Sequence, residues 1–156
     1  MVREGDFCGE QGDRSLILPI QLAQQVVSTL EAALPFESGG LLFGRCHVGE
    51  CVGEKFYYLA SREPSEQVYS ADPNALVFAL FQARQQHLTL LATIHRHPQG
   101  AAVPSFKDLS EAYGYHGMFH GIVSYVGARP DMRFYAYQKT NQEYRYQRIL
   151  LILTNL

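Results

Sequence analysis

The run LTLLATIH, Leu88 to His95, constrains the fold more than any other stretch of the chain. It is rich in apolar and β-branched residues and too short for a further helix, so it reads as a largely buried strand. A strand of that kind needs cover, and helical patterns stand before and after it. From Pro19, the apolar residues Ile20, Ala23, Val27, Leu30 and Leu34 recur at three- and four-residue steps. They mark an amphipathic helix whose first turn suits Pro19 and which Pro35 stops. A second helix is expected after EPSEQVYSADPN, with Asp72 as cap, Pro73 in the first turn, and Leu76, Val77, Leu80, Phe81 and Leu88 as its buried stripe.

The remaining segments fill in the sheet. SLILP, Ser15 to Pro19, is a short strand or lead-in, and GGLLFGRCHVGECVGEKFYYLA reads as two strands around a turn in HVGE. SFKDLSEAYGY is expected to form a third short helix, and GIVSYVG and MRFYAYQ to form strands flanking a turn at ARPD. YRYQRILLILTNL fits a strand or a helix equally well. The order implies a mixed sheet packed between helices, in one α/β or α+β domain over residues 15–156, preceded by a flexible arm at 1–14.

Composition narrows the function classes. A chain of 156 residues, 47% hydrophobic and 18% charged, suits one globular domain with a sizeable core. A net charge of −2 carries no electrostatic footprint for nucleic acid or an anionic membrane. No apolar run approaches the roughly 18–20 residues of a membrane helix, and the polar N-terminus lacks a signal-peptide core, so a cytoplasmic protein is expected. Three cysteines, an odd number, argue against a disulfide framework, and Cys46 and Cys51 are expected to be reduced thiols on neighbouring strands.

The chemistry-bearing stretch is IHRHPQGAAVPSFKD, Ile94 to Asp108. On a strand, side chains alternate faces, so His95 and His97 share one face and Arg96 projects from the other. At about 3.3 Å per residue their Cα atoms stand roughly 6–7 Å apart, a spacing from which two imidazoles can converge on one tetrahedral ion. Seven residues bracketed by Pro98 and Pro104 then lead to Ser105 and Asp108. Ser-x-x-Asp reads by itself as a capping-box-like helix start. A helix beginning at Ser105 also aims Asp108 back toward the histidines, as a third and anionic ligand that leaves a fourth position for water. That is the pattern of a catalytic zinc site, and the N/N/O donor set suits zinc. Hydrolysis at such a site also needs a base. Glu37, between the first helix and the glycine-rich strand start, is a candidate, although by itself it reads more readily as an exposed loop carboxylate.

These segments together, ESGGLLFGR after a helix and HRHPQGAAVPSFKD after a strand, resemble the JAMM motif of the JAB1/MPN/Mov34 metalloprotease family. SADPNALVFALFQA is similar to the family's helix before the histidine strand, and the resemblance covers roughly Ser15 to Gln138. It implies a fold similar to cytidine deaminases and zinc-dependent hydrolysis of peptide or isopeptide bonds. Carried over position by position, His95, His97 and Asp108 bind Zn²⁺, and Glu37 takes the proton of the water and returns it to the leaving amine. Ser105 hydrogen-bonds the oxyanion or the water. Implied substrates are the C-terminal tails of ubiquitin-like or sulfur-carrier proteins, as in small prokaryotic members. The chain departs from the family at Arg96, where Ser or Thr is usual. Arg96 is expected to reach solvent or an acidic partner, or to touch substrate at the rim.

Other readings are weighed beside this one. A zinc-dependent amidohydrolase of a small molecule would use the same centre, and a catalytically silent scaffold would have lost ligands that are all present here. A zinc deaminase expects His-x-Glu and Pro-Cys-x-x-Cys, which do not occur. His116 and His120 have helical ligand spacing, but the glycines around them speak against a helix and a metal role. His47 and His87 read as surface residues, and Tyr135, Tyr137, Tyr144 and Tyr146 as packing residues on alternating strand faces.

Overall fold

The computed structural model describes residues 2–4, 14–64, 70–111, 118–139 and 143–155. In chain order the elements are β1 (Val2–Glu4), β2 (Ser15–Pro19), α1 (Ile20–Glu31), β3 (Gly39–His47), β4 (Glu50–Leu59), α2 (Pro73–Gln85), β5 (Thr89–His97), α3 (Phe106–Glu111), β6 (Phe119–Ser124), β7 (Asp131–Lys139), β8 (Tyr144–Arg148) and β9 (Leu150–Thr154). The arm expected at 1–14 contributes β1, which pairs parallel with β8, and residues 5–13 lie outside the described ones.

The described strands form one mixed sheet in the order β1-β8-β7-β6-β5-β3-β4-β2-β9. β5 is near its middle, antiparallel to β3 and parallel to β6. The segment left open between strand and helix is β8 and β9, on opposite sides of this order and joined through Ile149 alone. Such neighbours in sequence can pair with opposite sides only if the sheet curls until those sides meet. Ile149 marks the meeting point, its N–H donating to Phe134 O of β7. Its side chain is buried in the main core.

The curled sheet wraps α1. Leu22, Ala23, Val26 and Leu30 of the helix pack with Leu16, Leu42, Ile94, Phe119, Val123 and Phe134 from the surrounding strands. The expected stripe is thus rotated: Leu22 and Val26 join Ala23 and Leu30 on the buried face, with Val26 and Leu30 the deepest. Leu34 falls beyond the end of the helix and is exposed. Pro19 sits at the N-cap position rather than within the first turn.

The opposite sheet face is covered by α2, which begins as its sequence suggests. Asp72 caps it by accepting from Asn74 N, with Pro73 in the first turn. Its buried face differs from the expected stripe, however. Ala79 and Ala83 are buried against Leu41, Phe43 and Leu59, with Leu76 and Leu88 packed beside them. Val77, Leu80 and Phe81 are exposed, as is Phe78. The helix is apolar on most of its circumference, so periodicity could not single out one face. Close approach to the sheet selected the small residues.

The hairpin β3–β4 turns through Val48 and Gly49, both with positive φ (46° and 80°), as a two-residue turn matched to strand twist requires. Its register places Cys46 directly opposite Cys51. The two are joined in a disulfide, contrary to the reduced state expected from the odd cysteine count. That count is made up by Cys8, which lies outside the described residues. At the other end of the hairpin, a Cβ on Gly40 would stand 2.6 Å from the Phe56 ring and collide with Tyr57 O. Only glycine permits this close ladder at the start of β3. No helix among the described residues is long and apolar enough to cross a membrane.

Candidate metal centre

His95 and His97 end β5, both facing the α2 side of the sheet. The chain then turns through residues 98–104 into α3, and Asp108 lies in that helix's first turn. His97 Nε2 is 2.9 Å from Asp108 Oδ2, His95 Nε2 is 3.1 Å from Asp108 Oδ1, and the two Nε2 atoms are 3.0 Å apart. One ligand atom from each residue thus lies within 4.8 Å of the others, close enough to share a metal ion. Among the described residues this is the one such group.

The loop between the histidines and Asp108 is held by successive carbonyls. Gly100 O accepts from Ser124 Oγ at 2.6 Å, Ala101 O faces His97 Nδ1 at 2.9 Å, and Ala102 O accepts from the Tyr135 hydroxyl. A proton on Nδ1 bonded to Ala101 O leaves the Nε2 lone pair directed into the group, as metal ligation requires. Ser105 and Asp108 form the reciprocal cap read from the sequence: Ser105 N donates to Asp108 Oδ2 at 2.8 Å and Asp108 N to Ser105 Oγ at 3.1 Å. The two readings of Ser-x-x-Asp therefore coexist. Ser124 and Tyr135 were not legible as loop anchors, because nothing local in either strand's sequence points to a loop elsewhere in the chain.

Electrostatics bind the group together. Burial disfavours both ions, yet hydrogen bonds from His95 and His97 hold the Asp108 carboxyl well below the usual carboxylate range. Burial likewise opposes a charged His97, but Asp108 outweighs it and raises the imidazole's pKa. Glu37, half-buried, lines the same cleft as the three residues. Burial raises its pKa, with partial opposition from His95, Lys107 and His97. Nothing in the sequence signalled Lys107.

The cleft has a volume of about 780 Å³. Glu37, His95, His97, Ser105, Lys107 and Asp108 form its polar end, and Leu41, Leu59, Leu76, Leu80 and Leu90 its apolar wall. A concave apolar site with a few convergent polar groups is the usual form of a ligand pocket. His120 is buried in this cleft, 3.1 Å from Thr93 Oγ1 and stacked on Tyr137, outside the His95–His97–Asp108 group. His116 lies outside the described residues. His47 and His87 are exposed, as expected. Tyr135, Tyr137 and Tyr146 pack together beneath the loop, and Tyr144 packs edge-on against Phe106.

Arg96 corrects its expectation. It points to the face opposite the histidines, but it reaches neither solvent nor the cleft rim. It is fully buried (0% exposed) under α1, with Nη1 donating to Leu30 O at 3.2 Å. Burial lowers its pKa, opposed in part by Tyr125 and by the charge of Glu37. The acidic partner expected for it thus acts through space, without an ion pair among the described residues. The alternation of a strand fixes a side, and only the packing of α1 decides whether that side is wet.

The family described as prokaryotic homologs of the JAB domain matches residues 19–138. A Thermus thermophilus protein named "Probable TtuB-protein conjugate cleaving protease" is 38% identical over 98 residues, 62% of this chain and 63% of the relative. The matched stretch thus spans just under two thirds of that relative's length. Among solved structures, protein DSY2949 from Desulfitobacterium hafniense aligns with a TM-score of 0.79 at 24% identity, over 90% of this chain and 94% of its own, a likeness of fold. A protein from Salinibacter ruber aligns with a TM-score of 0.59 at 26% identity, over 86% of this chain and 89% of its own.

Proposed function

Because the chain belongs to the prokaryotic JAB-domain family, we propose that it is a zinc-dependent peptidase or isopeptidase acting on the tails of ubiquitin-like or sulfur-carrier proteins. The observation that carries this reading is the convergence of His95, His97 and Asp108 at the end of a cleft that Glu37 also lines. The relative named as a conjugate-cleaving protease supports the substrate class.

The donor set fits zinc: two imidazole nitrogens and one carboxylate, drawn together by strand and helix cap, with His97 oriented by Ala101 O. Bound there, zinc would polarise the scissile carbonyl and bring the pKa of water down to about 7. Glu37 takes the proton of the attacking water on its carboxylate and passes it to the departing amine nitrogen, a task suited to a carboxyl whose pKa burial has raised. Ser105 Oγ accepts from Asp108 N, so its own proton remains available to donate to the oxyanion that develops on the carbonyl. The apolar wall takes the non-polar part of the substrate.

That wall also favours a second reading, a small apolar amide as substrate. Incubating the zinc-loaded chain with ubiquitin-like and sulfur-carrier fusions extended beyond a terminal glycine pair, and separately with small amides, distinguishes them. Trimmed tails in the intact mass support the proposal, and turnover of small amides alone overturns it in favour of the second reading.

A further inference from the structure

We infer that Arg96 is a positioning residue: from beneath β5 it clamps the C-terminus of α1, and so sets where Glu37 stands relative to the histidines on the same strand. The inference rests on the proposed function for its catalytic meaning, but its geometry is independent of any activity.

The last carbonyls of a helix lack partners within it and carry partial negative charge. In the last turns of α1, carbonyls are engaged by side chains from three separate strands or their ends, and at Leu30 O this adds to the turn bond from Ala33 N. Arg96 Nη1 and Ser38 Oγ both approach Leu30 O, at 3.2 and 3.5 Å, and the Tyr125 hydroxyl donates to Val27 O. Arg96 N also donates to Ser38 O at 2.9 Å. One residue thus holds both ends of the segment that carries Glu37: its side chain holds the helix end before it, and its backbone holds Ser38 after it. The same residue stands between the two candidate ligands, so the segment that carries Glu37 and the histidine pair are tied through a single residue.

Burial of this arginine is not explained by stability. Among the described residues its Nε and Nη2 are buried without a hydrogen-bond partner, and a buried cation with unpaired donors is commonly matched or surpassed in stability by an apolar side chain of similar volume. A purely structural role therefore predicts that Arg96→Met is harmless to activity. A positioning role predicts the opposite, since a misplacement of about 1 Å can lower a rate about 100-fold.

The test compares wild type, Arg96→Met, Arg96→Lys and Tyr125→Phe as full zinc-loaded chains, by hydrogen exchange, zinc content and steady-state kinetics. For Arg96→Met we expect zinc retained and KM little changed, kcat down by about tenfold or more, and faster exchange confined to residues 31–38. Arg96→Lys, which keeps a donor within reach of the helix end, recovers part of both. Tyr125→Phe shifts both in the same direction by less, and it keeps the question decidable should Arg96→Met fail to fold. Unchanged exchange in residues 31–38 for the foldable variants, or full kcat in Arg96→Met, overturns the inference. If wild type cleaves no substrate the proposed function falls, and the exchange pattern alone decides the role of Arg96.

Discussion

His97 and Asp108 meet at 2.9 Å through Nε2 and Oδ2, brought together by a loop whose three consecutive carbonyls, Gly100 to Ala102, are each engaged by a side chain from the sheet. The contact is thus built by the sheet and the cap of α3 jointly. It does not depend on the histidine strand alone.

Removing either partner should empty the centre. His97→Ala and Asp108→Ala are expected to lose zinc on dialysis, whereas wild type retains about one ion per chain. Metal analysis of the dialysed proteins checks this, and full zinc in either variant contradicts the assignment.

The loop anchors act at one remove. Ser124→Ala and Tyr135→Phe each delete a donor to the loop that orients His97, and should weaken zinc binding by about 10–100-fold, the usual range for groups that orient ligands. A competition titration against a chromophoric chelator measures the change. Affinities equal to wild type would show that the loop holds its shape without them.

Stability should depend on pH in opposite senses with and without metal. The pKa of His97 is raised in the fold, above the roughly 6.5 of an unfolded chain, so its pairing stabilises fully below that pH and fades as pH climbs through the raised value. Asp108 is depressed, so its share is full above about pH 3.9 and fades as acid protonates the folded carboxyl. The stability difference between metal-free wild type and metal-free Asp108→Asn should therefore shrink as pH rises from about 6.5 through the raised pKa of His97. Stabilisation by added zinc should grow over the same range, because ligation needs neutral imidazole. Thermal midpoints across that range decide both signs.

The corrected face of α2 predicts where substitutions hurt. Ala83, 1% exposed against the sheet, has no room for more atoms, so Ala83→Leu should destabilise by about 1–3 kcal/mol. Phe81, 56% exposed, should tolerate Phe81→Ser within about 0.5 kcal/mol. Denaturant midpoints that reverse this order would return the buried stripe to the large residues.

How far the sequence could be read follows from which features are local. Strand alternation put His95 and His97 on one side, and the Ser105–Asp108 cap is a short-range pattern, so their grouping was legible. The depth of Arg96 was not, because it depends on α1 arriving from more than sixty residues earlier, as its bond to Leu30 O shows. Ser124 and Tyr135 act on a distant loop and left no local trace. The all-round apolar character of α2 hid its face. The continuity of β8 and β9 across the closing sheet is a property of the whole topology, which no window of YRYQRILLILTNL contains.

The proposed proton transfer stands or falls on Glu37→Gln, assayed beside wild type for zinc content and for trimming of a ubiquitin-like or sulfur-carrier fusion. Glutamine keeps the shape of the side chain and removes its capacity to take a proton, and a general base is typically worth about 10²–10⁴ in rate. If Glu37 is the base, zinc equals wild type and trimming falls by at least about 100-fold. Trimming at the wild-type rate by zinc-loaded Glu37→Gln would show that the proton goes elsewhere.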